Sequence, residues 1–322
     1  MNIKKISAML LAALLTLSMA ACGGAGSETP TRPVQEHSAG TDRVVVFNSG
    51  ICTVLEAFGK TDAIVGAYGS LAETYGVPSC GKWNEMDVES VIAADAQAVF
   101  CYAKYTTEEQ ISKLSEAGIT CCFIELSDAD TAADEVAQLG QIFGCEEKAQ
   151  AFVDLYNTYD TLLEDRLAAV GEKLNVYVEG TAKEPFKTAN STTAAHALVA
   201  GAGLVNVYAD NETAYPERNL EAVITAAPDV IVKLCAAGSA PADAYAEYVG
   251  GLYGVAAADE GKVILLNNEI GTTAIGSVIG RLYVAKFAYP EAFADVDVDA
   301  VYEQFCTEFL GTAFNGSGAY AG

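Results

Sequence analysis

The sequence predicts an α/β fold in which two Rossmann-like lobes, each with a central sheet, are joined by one long backbone α-helix, with a ligand cleft between the lobes. Three observations predict it. Short β-branched and apolar runs alternate with amphipathic stretches, the pattern of βαβ units around parallel sheets. One helical pattern of about 24 residues, Glu146 to Gly171, divides the chain. A short acidic phrase also recurs on either side of that helix, Asp87-Val88-Glu89-Ser90-Val91-Ile92 before it and Asn219-Leu220-Glu221-Ala222-Val223-Ile224 after it. Each copy runs through a small-residue turn into a strand-like segment.

In order, the first lobe (42–145) reads as strand Val44–Asn48, helix Cys52–Phe58, strand Ile64–Tyr68, a loop to Lys82 and a short helix Asp87–Ala93. Strand Ala98–Tyr102, helix Thr107–Glu116 and strand Cys121–Glu125 follow. In the linking helix (146–171), Phe152, Leu155, Tyr156, Tyr159, Leu162, Leu163 and Leu167 recur at three- and four-residue spacing. Glu146 and Glu147 suit its start and Gly171 its stop. At 1.5 Å per residue it is ~36 Å long, enough to cross from one lobe to the other and to limit their relative motion. The second lobe (172–312) reads as strand Asn175–Glu179, helix Thr192–Gly201, a loop to Pro216, helix Leu220–Ala226 and strand Val230–Leu234. Helix Tyr245–Tyr253, strand Val263–Leu266 and helices 275–288 and 297–310 complete it, and 313–322 reads as a tail.

Ahead of the first lobe, residues 1–21 read as an export signal. Lys4 and Lys5 precede the apolar run Ile6 to Ala21, which is too short to span a bilayer comfortably. Leu17-Ser18-Met19-Ala20-Ala21-Cys22 resembles a bacterial lipobox, with Met19 where Leu is usual. The expectation is a lipidated Cys22, a flexible tether over 22–41 and a domain held near the outer face of the cell membrane.

Charge and composition remove several function classes. The 322 residues carry 43 Asp+Glu against 18 Lys+Arg, a net charge of -25. A surface that acidic repels phosphate backbones and excludes nucleic acid as a partner. His37 and His196 are the only histidines, too few for a three-His or HExxH metal site, and His196 on an Ala-rich helix reads as structural. Apart from Cys22, Cys101, Cys121, Cys122 and Cys235 lie in or beside apolar runs and read as small buried hydrophobes, while a bridge involving Cys80 or Cys145 stays open.

The segments Arg43-Val44-Val45-Val46-Phe47-Asn48-Ser49-Gly50, Leu55-Glu56-Ala57-Phe58-Gly59 and Ile64-Val65-Gly66, then Gly81-Lys82-Trp83-Asn84, and finally Leu282 to Phe293, resemble in order and spacing the substrate-binding proteins of ABC importers that carry vitamin B12, siderophores and haem. The resemblance implies a non-enzymatic lipoprotein, a monomer with no cofactor of its own, that captures a metal chelate and delivers it to a permease dimer with its ATPase. It implies that Glu89 and Glu221, the acids of the repeated phrase, dock on permease arginines; a carboxylate at a helix start is held by the dipole and pairs well with Arg. Read without the resemblance, both simply cap helices.

The cleft is expected at the carboxyl ends of the strands. Asn48, Ser49, Trp83, Tyr102, Lys104 and Tyr105 are the candidates from the first lobe, and Phe186, Tyr215 and Arg218, with the loop Gly271–Ser277, those from the second. Trp83 is the sole tryptophan and offers a face for a planar ligand; its bland alternative is packing on its own lobe. Lys183 and Lys187 could add positive charge, although the last loop lacks an arginine, which argues against a strongly anionic ligand. Two other readings compete: a binding protein for another small solute or a bare metal ion, and a secreted α/β hydrolase. The second lacks a GxSxG elbow and a GxxxxGK[ST] loop.

Overall fold

Strand β1 (Val44–Val46) is three valines buried on both sides, and its alternation sets the layering. Val44 and Val46 enter the main core, whereas Val45 and Phe47 enter a second cluster on the opposite face. A strand buried on both faces belongs in a parallel sheet covered by helices. The computed structural model, which describes residues 41–182, 185–236, 241–314, 316 and 318–322, has that arrangement twice.

After β1 come α1 (Ser49–Phe58), β2 (Ile64–Ala67), α2 (Gly69–Tyr75), β3 (Gly81–Lys82), β4 (Glu85–Met86), α3 (Val88–Ala93), β5 (Ala98–Phe100), α4 (Glu108–Glu116), β6 (Thr120–Cys122) and α5 (Ala132–Phe143). The first sheet has the order β2-β1-β5-β6 and all its pairs are parallel. Next is α6 (Glu146–Ala168), the linking helix. Beyond it lie β7 (Asn175–Glu179), α7 (Ala194–Gly201), β8 (Val205–Asn206), α8 (Leu220–Ala226), β9 (Val230–Cys235), α9 (Pro241–Gly250), α10 (Ala256–Asp259), β10 (Val263–Asn267), α11 (Asn268–Gly271), α12 (Ser277–Ala288), α13 (Val298–Gln304) and β11 (Ala319–Ala321). The second sheet has the order β11-β10-β9-β7-β8, parallel except at the β10–β11 edge. Two α/β lobes joined by one long helix are therefore present, as the sequence predicts.

The structure departs from the sequence reading in four places. The stretch expected as a loop to Lys82 contains α2, and the stretch between the strand at 121–125 and Cys145 contains α5. Neither helix has a side-chain cap at its N-terminus, and α5 carries Gly140 in its interior. That glycine is needed for packing, because a Cβ there would lie 2.4 Å from Ala149 Cβ on α6. The expected tail supplies β11, paired with Ile264–Leu266, so it belongs to the second sheet.

The fourth departure bears on the joint between lobes. α13 continues as a π-helical turn, Phe305–Leu310, which the sequence assigns to the second lobe. Phe309 instead packs its ring 4.7 Å from Phe152 of α6 and 6.4 Å from Phe58 of α1. The chain thus returns to the first lobe after building the second, because α1 and α6 leave an aromatic surface that these phenylalanines cover. One hydrophobic core runs through Val44, Phe152, Val176 and Val278, and so through both lobes and the linker.

Candidate cleft between the lobes

Trp83 sits at the tip of a two-residue hairpin. β3 and β4 pair Gly81 with Met86 and Lys82 with Glu85, and Lys82 Nζ lies 2.7 Å from Glu85 Oε2. Gly81 has φ +118°, and a Cβ there would fall 2.3 Å from the Glu85 carbonyl, so this hairpin can be built only on glycine. Trp83 is 48% exposed. Its ring meets Tyr105 at 5.1 Å and Tyr102 at 6.1 Å, both edge-on, and the two tyrosines meet at 6.2 Å. Edge-on packing fixes the three rings relative to one another, with Trp83 still half exposed.

The tyrosines come from the turn that leaves β5, where the 3-10 segment Ala103–Tyr105 begins. The Ala103 amide donates to Glu125 Oε1 at 2.8 Å, which anchors that turn to the segment leaving β6. Burial, with Tyr68, Glu125 and Tyr105 adding to it, pushes the Tyr102 phenol up to about 12, so it remains a neutral donor. Lys104 Nζ lies 5.5 Å from the Tyr105 ring centroid, a cation–π placement that keeps one positive charge beside the aromatic group. Four of the six first-lobe candidates are therefore brought together.

The other two differ. Asn48 is buried and caps α1, accepting from the Gly50 amide at 2.6 Å while its Nδ2 donates to the Glu125 carbonyl. It positions the cleft rim, and its side chain is committed to that task. Ser49 is exposed at the start of α1.

From Glu125 the chain runs into the floor. The Glu125 and Leu126 amides donate to Glu135 at 3.1 and 3.0 Å, and burial raises the Glu135 carboxyl above its ordinary range. Asp128 and Asp130 then face Thr272, Ser277 and Arg281 of the second lobe across a cavity of about 290 Å³. Thr272 and Ala194 also line a neighbouring cavity of about 450 Å³, which holds Tyr215, Lys187 and Asn268. Tyr215 is 49% exposed, opposite in character to a core residue. The cavities lie at the carboxyl ends of β7, β9 and β10, where an open α/β sheet takes its ligands.

Of the remaining second-lobe candidates, Phe186 borders an adjoining recess. The Arg218 amide donates to the Phe186 carbonyl at 2.9 Å, and its guanidinium lies 4.8 Å from the Tyr208 ring and bonds to the Glu217 carbonyl and to Asn211 Oδ1. Lys183 and Cys22 lie outside the described residues. His196 accepts the structural reading, with Nδ1 3.3 Å from Asn206 Nδ2. The recurring phrase forms two like helices. The Asp87 side chain caps α3 at the Ser90 amide and the Asn219 side chain caps α8 at the Ala222 amide, so Glu89 and Glu221 stand at the same exposed position of each first turn. Among the described residues no group of three or more His, Cys, Asp or Glu is placed to hold a metal ion, and no helix is long and apolar enough to cross a membrane.

A family model described as periplasmic binding protein matches residues 44–269. The chain belongs to that family. Binding proteins of this kind act outside the cytoplasm, bind small molecules and work with ABC transporter permeases. The chain is 23% identical over 228 residues to a vitamin B12-binding protein of Yersinia pestis (strain Pestoides F), covering 71% of this chain and 75% of the relative. A TroA-like periplasmic binding protein of Veillonella parvula superposes with a TM-score of 0.75 at 20% identity, over 90% of this chain and 97% of that one. A molybdate-binding protein of Haemophilus influenzae superposes at 0.65 with 21% identity, over 88% and 96%.

Sequence reasoning missed Tyr68, Glu125, Asp128 and Asp130, whereas Thr272 and Ser277 lie in the loop Gly271–Ser277 that it named. All four sit one to eight residues beyond the ends of β2 or β6, so the signal that found Tyr102 would have found them.

Proposed function

We propose that this chain is the lipid-anchored binding component of an ABC import system, and that it captures a metal chelate, a corrinoid, haem or ferric siderophore, between its lobes. The observation that carries the chelate assignment is the aromatic group Trp83, Tyr102 and Tyr105, with Trp83 half exposed at the carboxyl edge of the first sheet. A flat, half-exposed ring held by two edge-on tyrosines suits a planar macrocycle or an aromatic chelator better than a small oxyanion. The likeness to vitamin B12-binding proteins supports the same class. Cys22 is the lipid attachment in this reading, and Glu89 and Glu221 are the two contacts for permease arginines, one per lobe.

The delivery half of the proposal is tested by uptake. Cells carrying Glu89→Ala together with Glu221→Ala are expected to lose chelate import while the purified variant binds ligand as before. Retained import in the double variant contradicts the docking role.

A further inference from the structure

With 43 acidic against 18 basic residues, an opening in this chain that is lined by a cation and no acid runs against the composition. The cavity of about 450 Å³ in the second lobe is such an opening: no described residue lining it is acidic, and Lys187 is the one cation among them. Elsewhere Lys82, Lys113, Lys233 and Lys262 each pair with a carboxylate. Lys187 is half-buried and has no carboxylate partner among the described residues. Glu217 opposes it across a backbone bridge but is exposed and does not line the cavity.

The segment that presents Lys187 is fixed. The next residue, Thr188, is fully buried; its Oγ1 donates to the Val178 carbonyl at 2.7 Å and its amide to the Pro216 carbonyl at 3.1 Å. In extended chain, neighbouring side chains take opposite sides, so burying Thr188 turns Lys187 outward. Two uncharged donors share the cavity with it. Tyr215 is half exposed, and Asn268 Oδ1 accepts from Thr272 Oγ1 at 2.8 Å, which leaves the Asn268 Nδ2 as the remaining end of that amide. Ala194 and Ala195, the first residues of α7, line the cavity as well, so the positive end of that helix adds to the lysine charge. A half-buried cation among hydrogen-bond donors lacks only a counter-charge.

The flanks carry the opposite sign. Asp128 and Asp130 line the adjoining cavity, which shares Ala194 and Thr272 with this one. On the other side Glu179 is buried 3.4 Å from Lys233 Nζ, so its charge is matched. We propose that the Lys187 cavity is the subsite for a single anionic arm of the ligand, a carboxylate or a phosphate monoester, paired with Lys187 and accepting from Tyr215 and Asn268. Asp128 and Asp130 repel the same arm, which fixes the end of the ligand that enters the second lobe. One lysine matches one anionic arm, in keeping with a last loop that has no arginine. The subsite rests on the reading of the cleft as the ligand site and adds the charge of the ligand.

The test uses fragments, so that it does not depend on the cargo. The full chain in detergent is titrated with 3-phenylpropanoate, 2-phenylethyl phosphate and the neutral 3-phenylpropanamide up to about 10 mM and read by saturation-transfer NMR. At least one anion is expected to bind at least about tenfold more tightly than the amide, and the tighter of the two names the arm. Lys187→Gln is expected to bring that anion down to the affinity of the amide while leaving the amide unchanged, a split that a merely structural lysine would not produce. Tyr215→Phe is expected to weaken the anion severalfold, and Lys173→Gln, at an exposed lysine outside the cavity, to change none of the three. An amide as tight as both anions, no saturation by either anion, or a folded Lys187→Gln chain that keeps the preference overturns the proposal. A chain that takes the anion through Lys187 but no metal chelate keeps the subsite and loses the cargo assignment. A chain that binds a chelate but neither anion loses the subsite alone.

Discussion

The Tyr156 hydroxyl lies 2.7 Å from the Ala129 carbonyl, a bond from the middle of the linking helix to the floor of the first lobe. The same oxygen lies 2.9 Å from Ser277 Oγ and accepts from Arg281 Nη2 at 3.0 Å, both on α12 of the second lobe. Arg281 is itself held by Asp160, 2.8 Å away on α6. One phenol therefore ties both lobes to the helix between them. Together with the return of Phe309 to α1 and α6, this fixes the cleft before ligand arrives and lowers the ordering cost of binding.

Tyr156→Phe is accordingly expected to destabilise the fold by about 1–3 kcal/mol, because Arg281 and the Ala129 carbonyl lose a buried partner. Denaturant unfolding gives the loss, and hydrogen exchange is expected to rise around residues 127–130 and 271–281. Unchanged exchange there would show that the phenol does not hold the joint.

Trp83→Ala removes an exposed ring and is expected to change stability by less than about 1 kcal/mol, yet to weaken chelate binding at least about tenfold. Gly81→Ala should weaken binding with Trp83 still present, since the new Cβ meets the Glu85 carbonyl and distorts the hairpin that presents the ring. Calorimetry on the two variants checks both outcomes.

The thiols are expected to be inert. Cys52, Cys80, Cys101, Cys145, Cys235 and Cys306 form no disulfide. Burial pushes Cys52 and Cys122 up to about 12 and Cys80 up to about 11, so almost no thiolate exists near neutral pH. An aromatic disulfide reagent should leave these three untouched in the native protein and label them rapidly in denaturant.

His196 gives a pH signature of known sign. Burial lowers its value below the ordinary 6.5, so the folded chain binds fewer protons than the unfolded chain. Its contribution is complete above about 6.5 and is lost as the pH falls through the folded value. Compared with the native chain, His196→Gln should show a shallower fall in stability on acidification below pH 6.5, measured by urea unfolding at a series of pH values.

Much of this was legible because the signals were local. β7 and α8 have the bounds that their β-branched run and Asn219 cap announce. Trp83, Tyr102 and Tyr105 were marked by residue type and by position after a strand. The partners of Arg218 and Asn48 were not legible, because a cation or amide beside a strand end carries no sign of them; Tyr208, Asn211 and the Glu125 carbonyl reach them only in the fold. The crossing of Phe309 onto the first lobe is long-range packing, which periodicity within one helix does not encode.

The most direct measurement is a fluorescence and calorimetric titration of the purified protein with cobalamin, haemin and a set of ferric siderophores, read at its single tryptophan. Saturable quenching by one chelate, lost in Trp83→Phe while heat of binding persists, is the result expected for a chelate held between the lobes against Trp83. Absence of any heat or quenching up to ~100 μM, where a ~1 μM site would be saturated, would contradict it.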